Sequence, residues 1–296
     1  MTRLNSVSYT ALNIRTHPHS AETYVNLMNR VFDLKIPINL RGESYAILTE
    51  IKPISENPVD GIEGELTKYT KIEIGRWFNI STLKPAEEDE TRRIQIPEEL
   101  RPNFSSFRFV FYPRNHYLVI EHKDKFGSIA PKNIEKFFRG LFNADSIISE
   151  FNEIELTLIP DTDQLDAIFR INTITELLLV IRRPNTDGLD DLEDEVLERL
   201  NNQNIAEEKI VYKSQKNQSI IPDNRTINLS NVAQLNGEVK AIGRDAEGKR
   251  IEKSTHEHPF SHTERYSPNE HTQISFLHIV AERIINRIKA MTRIRV

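Results

Sequence analysis

Short apolar segments with the periodicity of β-strands alternate with helical segments through the middle of the chain, and this order limits the fold more than any other feature. The strand-like segments are 107–112, 117–122, 154–159 and 177–181, and the helical segments are 132–142 and 161–169. Residues 177–181 are apolar throughout, which is typical of a strand inside a sheet. The order predicts an α+β fold with antiparallel or mixed sheets and with helices packed on one face.

The two ends of the chain carry their own local signals. Ser20 can cap a helix over residues 21–34. Residues 238–244 and 249–253 predict a hairpin in which Gly248 supplies the positive φ of the turn. A long helix with an apolar stripe, which includes Ile284, begins at about Thr272 and ends the chain.

Two segments between these elements have weak patterns. Residues 217–236 are polar and rich in turn residues, with one short helix, and residues 254–270 show no strand or helix pattern. The whole chain then divides into three predicted parts. They are an N-terminal α+β region (1–103), a ββαβαβ-like α+β domain (104–205) and a C-terminal region with a basic hairpin and the terminal helix (206–296).

Composition excludes several classes of protein. The chain contains no cysteine, so disulfides and thiolate zinc sites are excluded. No apolar run approaches the roughly 18 residues of a membrane-spanning helix, so we expect a cytosolic protein that does not bind to a membrane. Glycine does not form a GxGxxG or P-loop motif, and no serine lies in a GxSxG context. We therefore predict no catalytic residues and no cofactor.

The charge changes sign along the chain. Residues 240–296 carry 11 Lys and Arg against 7 Asp and Glu, a surplus of +4, whereas the whole chain has a net charge of −5, so the preceding residues carry −5 − 4 = −9. A basic end on an acidic body indicates a surface for a polyanion such as nucleic acid. The alternative is ordinary surface solubility, and arginines near a helix C-terminus also favour the helix dipole. The candidate phosphate-binding residues are Arg182, Arg183, Lys240, Arg244, Lys249, Arg250, Lys253, Arg283 and Arg287.

Histidines and carboxylates are further candidates for sites of chemistry. Five histidines (256, 258, 262, 271 and 278) lie close together in sequence, but their spacing matches no zinc-ligand pattern, so no metal site is predicted. Glu153 and Glu155 would share one face of a strand, as a two-metal nuclease requires, but no lysine follows on that strand. A nuclease whose carboxylates meet only in the fold remains the enzymatic alternative.

Several sequence strings resemble a family of bacterial proteins of unknown function that occurs among mobile elements and defence genes. They are FNI (78–80), IPEELRPN (96–103), FRFVF (107–111), RRPN (182–185), GEVKAIGR (237–244) and STHEHP (254–259). These strings extend over most of the chain. They carry no assigned chemistry, so the resemblance implies a role in defence without naming a catalytic residue.

The layout of the chain also resembles RexA, a family of phage-exclusion proteins of lambdoid phages. The shared layout is an α+β core followed by a basic hairpin, a linker and a terminal helix. This resemblance implies a DNA-binding homodimer that acts in anti-phage defence, with contacts at the basic positions of the hairpin and the terminal helix. The alternatives are a metal-dependent nuclease of a defence system and a protein-interaction subunit whose terminal helix docks on a partner protein of the same operon.

Overall fold

The computed structural model of the protein describes residues 4–17, 19–72, 77–92, 94, 97, 99–161, 163–183 and 191–293. The strands are β1 (Asn5–Arg15), β2 (Ile38–Arg41), β3 (Ser44–Pro53), β4 (Ile62–Thr70), β5 (Phe78–Asn79), β6 (Lys84–Pro85), β7 (Ser105–Tyr112), β8 (Tyr117–Lys123), β9 (Glu155–Leu158), β10 (Thr173–Arg182), β11 (Glu207–Lys213), β12 (Gly237–Arg244), β13 (Arg250–Ser254) and β14 (His262–Tyr266). The helices are α1 (Ala21–Asp33), α2 (Glu88–Thr91), α3 (Pro131–Phe142), α4 (Asp145–Phe151), α5 (Gln164–Phe169), α6 (Asp191–Asn202), α7 (Asn224–Asn236) and α8 (Gln273–Arg293). The protein is therefore α+β, as predicted.

A large antiparallel sheet forms the centre of the molecule, with strand order β14-β1-β8-β7-β4-β3-β2. The long β1 pairs with β8 on one side and with two strands in succession on the other. Its first half pairs with β14, where Val7 faces Glu264, and its second half pairs with β9, where Leu12 faces Leu158. Strand β1 thus joins segments that are far apart in the sequence.

Helices cover both faces of the large sheet, so the prediction that they pack on one face was wrong. On β8, Leu118 and Ile120 face the cluster formed with α1, α3 and α4, whereas Val119 faces the cluster formed with α8. Because alternate residues of a strand point to opposite faces, apolar side chains at consecutive positions of β8 leave two apolar surfaces to cover. The apolar stripe of α8 covers the second surface, and Ile284 is 2% exposed there.

A second antiparallel sheet has the order β11-β10-β12-β13. Helices α5, α6 and α7 contribute to one apolar cluster with Leu177, Leu179 and Val239 on one face of this sheet. Helix α7 runs directly into β12 at Gly237, where a side chain would lie 2.0 Å from the carbonyl oxygen of Val180. This close approach requires glycine and fixes Asn236, the last residue of α7, next to the end of β10.

The sheets cross the boundaries of the three predicted regions. The large sheet combines strands from residues 1–103, 104–205 and 206–296, because β1 pairs with β8, β9 and β14. The division into regions stays a prediction. Of the helices in the described ranges, none has the length and apolar character that crossing a bilayer requires.

Candidate functional site

The face of the second sheet that points away from α5, α6 and α7 is called the open face here. It is formed by alternate residues of the four strands: Glu176, Leu178, Val180, Arg182, Glu207, Lys209, Val211, Lys213, Glu238, Lys240, Ile242, Arg244, Arg250, Glu252 and Ser254. None of these residues belongs to an apolar core cluster. The strand register therefore brings four of the nine candidate residues, Arg182, Lys240, Arg244 and Arg250, to one surface.

Most charged residues of the open face take part in ion pairs, either between neighbouring strands or along one strand. Arg182 and Lys209 both contact Glu207 at 2.9 Å, and Lys240 contacts Glu252 at 2.6 Å. A hydrogen bond from Lys209 lowers the pKa of the Glu207 carboxyl. The face carries six Lys and Arg against four Glu, a surplus of two positive charges. Its cations can therefore exchange partners with an external anion, although the carboxylates compete for them.

The remaining candidate residues lie elsewhere. Lys253 is one position out of phase with Lys240 and Arg250, so its side chain lies on the opposite face, where Nζ donates to the carbonyl oxygen of Ala167 at 3.3 Å. Lys249 is exposed in the hairpin turn, after Gly248 with its φ of 79°.

Two of these candidates lie on the terminal helix. Arg283 donates to Glu264 at 3.1 Å, and the guanidinium of Arg287 lies 5.5 Å from the centre of the Phe260 ring. The nine candidates thus do not form one surface.

A second group of polar residues lies buried where the two sheets meet and is called the inner cluster here. It consists of Arg15, His17, His116, Glu155, Thr157, Arg183 and Asn236. Arg15 is fully buried at the end of β1, donates to Asn236 and Thr157 at 2.8 Å each, and lies 3.2 Å from a Glu155 oxygen. Asn236 in turn donates to Glu193 at 3.1 Å. Strand pairing of β1 with β9 and the α7–β12 junction together assemble this network.

Burial and positive charge dominate the electrostatics of the inner cluster. Burial and, to a smaller extent, the neighbouring charges of Arg183 and Arg15 lower the pKa of His17 to about 4. Burial raises the pKa of the Glu155 carboxyl, while Arg15, Arg182 and Arg183 oppose that rise. Burial also lowers the pKa of His116 well below its ordinary value. Both histidines are therefore neutral at pH 7.

Several polar atoms of the inner cluster have no hydrogen-bond partner within the described residues. They are Nε of Arg15, Nε of Arg183, Nε2 of His17, Nδ1 of His116 and Oε2 of Glu155. Buried polar atoms are almost always satisfied in folded proteins, so a concentration of exceptions marks a place for water or a ligand. His17 and Arg183 are half-buried and connect this group to solvent.

The sequence interpretation found only part of the inner cluster. Arg183 was a candidate for phosphate contact and Glu155 was weighed as a nuclease carboxylate, but Arg15, His17 and Asn236 were missed. One available signal was the charge of Arg15 at the end of a segment that is otherwise uncharged, since a charged residue in a buried strand needs a buried partner. The identity of that partner could not be read from the sequence.

The five clustered histidines are dispersed by the fold. His256 contacts the carbonyl oxygen of Gly237 at 2.9 Å, His262 contacts Glu264 at 2.8 Å, and His278 contacts Glu63 at 2.9 Å. Within the described part of the chain, no three His, Asp or Glu side chains are arranged as a metal-ion site. These three histidines therefore have three different hydrogen-bond partners.

Comparison with known proteins places the chain in a family without assigning it an activity. No curated protein shows significant similarity to the sequence. A family model described as a domain of unknown function, DUF4747, matches residues 5–284. The match includes the whole large sheet, the second sheet and most of α8. The chain therefore belongs to the DUF4747 family.

Proposed function

We propose that this protein is a cytosolic nucleic-acid-binding protein of anti-phage defence, with DNA as the expected ligand and the open face as the main contact surface. The observation that carries the proposal is the alignment of six cations on a sheet face whose residues belong to no apolar core cluster. The defence role rests on the resemblances in the sequence described above. A metal-dependent nuclease and a protein-interaction subunit remain the alternatives.

The chemistry of the open face favours contacts to phosphates over contacts to bases. The cations stand on neighbouring strands, and the separation of such strands, about 5 Å, allows several of them to reach one nucleic-acid backbone. The open face contains no aromatic side chain for base stacking, and Leu178, Val211 and Ile242 lie between the charged residues. Binding through this face should therefore depend strongly on salt and weakly on sequence.

Neutralising the least enclosed cations of the open face should reduce the salt dependence of DNA binding. We expect the wild-type protein to bind duplex DNA with a log–log salt slope of about −3 to −6, and the triple variant Lys213→Ala, Arg244→Ala, Arg250→Ala to flatten that slope by about 2 to 3. Fluorescence anisotropy across a salt series, with duplex DNA, single-stranded DNA and RNA, measures the slope and identifies the preferred nucleic acid.

A charge-matched control separates the open face from general electrostatic attraction. The triple variant Lys84→Ala, Arg101→Ala, Lys132→Ala removes the same charge from exposed positions on other elements. We expect it to retain the wild-type slope within about one unit, since distant exposed charges are screened. Equal salt slopes for the two triple variants would show that the open face does not contact the DNA.

A homodimer is part of the proposal, but the apolar stripe of the terminal helix is not available as its interface. The apolar stripe of α8 packs on the large sheet of its own chain, where Leu277 and Ile288 are fully buried. A dimer would have to use another surface, and a two-fold arrangement would double the number of open faces available to a duplex. Light scattering at micromolar concentration tests it: a mass near the 34.4 kDa of one chain contradicts the dimer.

A further inference from the structure

Two guanidinium donors of the inner cluster lack an acceptor in the described part of the chain, whereas the one carboxylate oxygen there without a hydrogen bond, Oε2 of Glu155, already forms an ion pair with Arg15 at 3.2 Å. The guanidinium groups of Arg15 and Arg183 can only donate, and the Nε–H of each has no acceptor within the described residues. Arg15 already uses its other two nitrogens on Asn236, Thr157 and Glu155. The two guanidinium groups therefore each lack an acceptor among the described residues, and two such donors favour an acceptor with several oxygens.

Arg15 and Arg183 both lie close enough to His17 and Glu155 to influence them electrostatically. Arg15 and Arg183 each lower the pKa of His17 and each oppose the rise in the pKa of Glu155, so both act on the same two side chains. His17 lies 3.9 Å from Glu155, and its half-buried ring stands at the solvent side together with Arg183. Arg15 and His116 are the most deeply buried members of this group, together with Glu155, Thr157 and Asn236. A small anion could thus enter past His17 and Arg183.

We propose that the inner cluster is a binding site for a phosphate group, either the terminal phosphate of a nucleic acid or that of a free nucleotide. Arginine is suited to this role because its planar donors match phosphate oxygens. The neutral imidazoles of His17 and His116 can add N–H donors without adding charge. Glu155 limits the positive charge and holds Arg15 in place. This site goes beyond the proposed function, since it uses residues that the open face does not contain.

Arg183→Gln tests the site with little risk to the fold, because Arg183 is half-buried at the end of β10. Arg114→Gln is the matched control: Arg114 is a 61% exposed arginine that pairs with Asp60 on another part of the surface. Binding to the full-length protein is measured by calorimetry and by the thermal midpoint, with inorganic phosphate, adenosine monophosphate, and one single-stranded DNA bearing either a 5′-phosphate or a 5′-hydroxyl. The thermal midpoint without ligand confirms that each variant is folded.

We expect saturable binding of at least one phosphate probe, weakened about tenfold or more by Arg183→Gln and unchanged by Arg114→Gln, as loss of a charge-assisted hydrogen bond predicts. Preference for the 5′-phosphorylated DNA over its 5′-hydroxyl form identifies a nucleic-acid end as the source. Binding of the mononucleotide without that preference identifies a free nucleotide. Absence of saturable binding by every probe, or equal binding by Arg183→Gln and wild type, overturns the proposal.

The open-face triple variant keeps the two proposals distinguishable. It leaves every residue of the inner cluster in place, so it should bind inorganic phosphate or the mononucleotide as the wild type does. If the open face fails to bind nucleic acid, this phosphate binding persists. If the inner cluster does not bind phosphate, the salt dependence of duplex binding through the open face is unaffected.

Discussion

Ile284→Asp should lower the free energy of unfolding by about 4 kcal/mol or more, because it removes a buried apolar side chain and places a carboxylate between α8 and the large sheet. Ile284 is 2% exposed, and its neighbours on the helix stripe, Ala281 and Ile288, are fully buried. Denaturant unfolding followed by circular dichroism measures the change, and an unfolded protein at 25 °C would also agree with it.

Asn286→Asp is the control for this substitution. It adds the same carboxylate on the exposed side of the same helix, two residues further along. Its free energy of unfolding should remain within about 0.5 kcal/mol of the wild type. If Ile284→Asp instead keeps the stability of the wild type and changes only the mass of the protein in solution, the packing of α8 described above is wrong. Helix α8 would then lie in an interface between two chains.

Local features of the fold could be predicted because their signals lie within a few residues. Ser20 accepts a hydrogen bond from the backbone of Thr23 and begins α1, as its position before an apolar periodic segment indicates. Pro131 opens α3, and Gly248 has the positive φ of the hairpin turn. A cap, a helix start and a tight turn each depend on one residue type at one position, so sequence alone identifies them.

The predictions that failed concern contacts between distant segments. Residues 254–270 were predicted to lack regular structure, yet β14 forms there and pairs with β1 from Asn5 to Tyr9. Its residues alternate between exposed and half-buried, which is a weak pattern, and the partner strand lies at the other end of the chain. The pairing supplies the order that the local sequence does not specify.

Helix α7 illustrates a second limit. The sequence indicated one short helix in residues 217–236, whereas α7 extends from Asn224 to Asn236 and has buried residues around most of its surface. Because α7 packs on the second sheet, α5 and α8, it lacks the single apolar stripe by which a helix is recognised. Asn236 therefore could not be assigned to the inner cluster, although it supplies an acceptor to Arg15.

The buried carboxyl group of Glu121 should make the protein less stable as the pH rises through neutrality. Glu121 is 1% exposed, and burial raises its pKa from 4.5 to about 7 despite hydrogen bonds from the Arg108 backbone and the Gln273 side chain. The native state then binds the proton more tightly than the unfolded state. The stabilisation is complete below about pH 4.5, is lost as the pH rises to about 7, and amounts to about 3 kcal/mol.

Glu121→Gln should remove this pH dependence, because an amide of the same shape cannot ionise and its oxygen can still accept from Arg108 and Gln273. At pH 8.5 we expect the variant to exceed the wild type in free energy of unfolding by about 3 kcal/mol, and at pH 4 the two should be equal within about 0.5 kcal/mol. Urea unfolding at both pH values measures the difference, and Glu247→Gln, in the exposed hairpin turn, is the control that should change neither value. Equal stability of wild type and Glu121→Gln at pH 8.5 would mean that Glu121 ionises at its ordinary pKa, which requires water or a cation beside the side-chain oxygen that has no partner in the described structure.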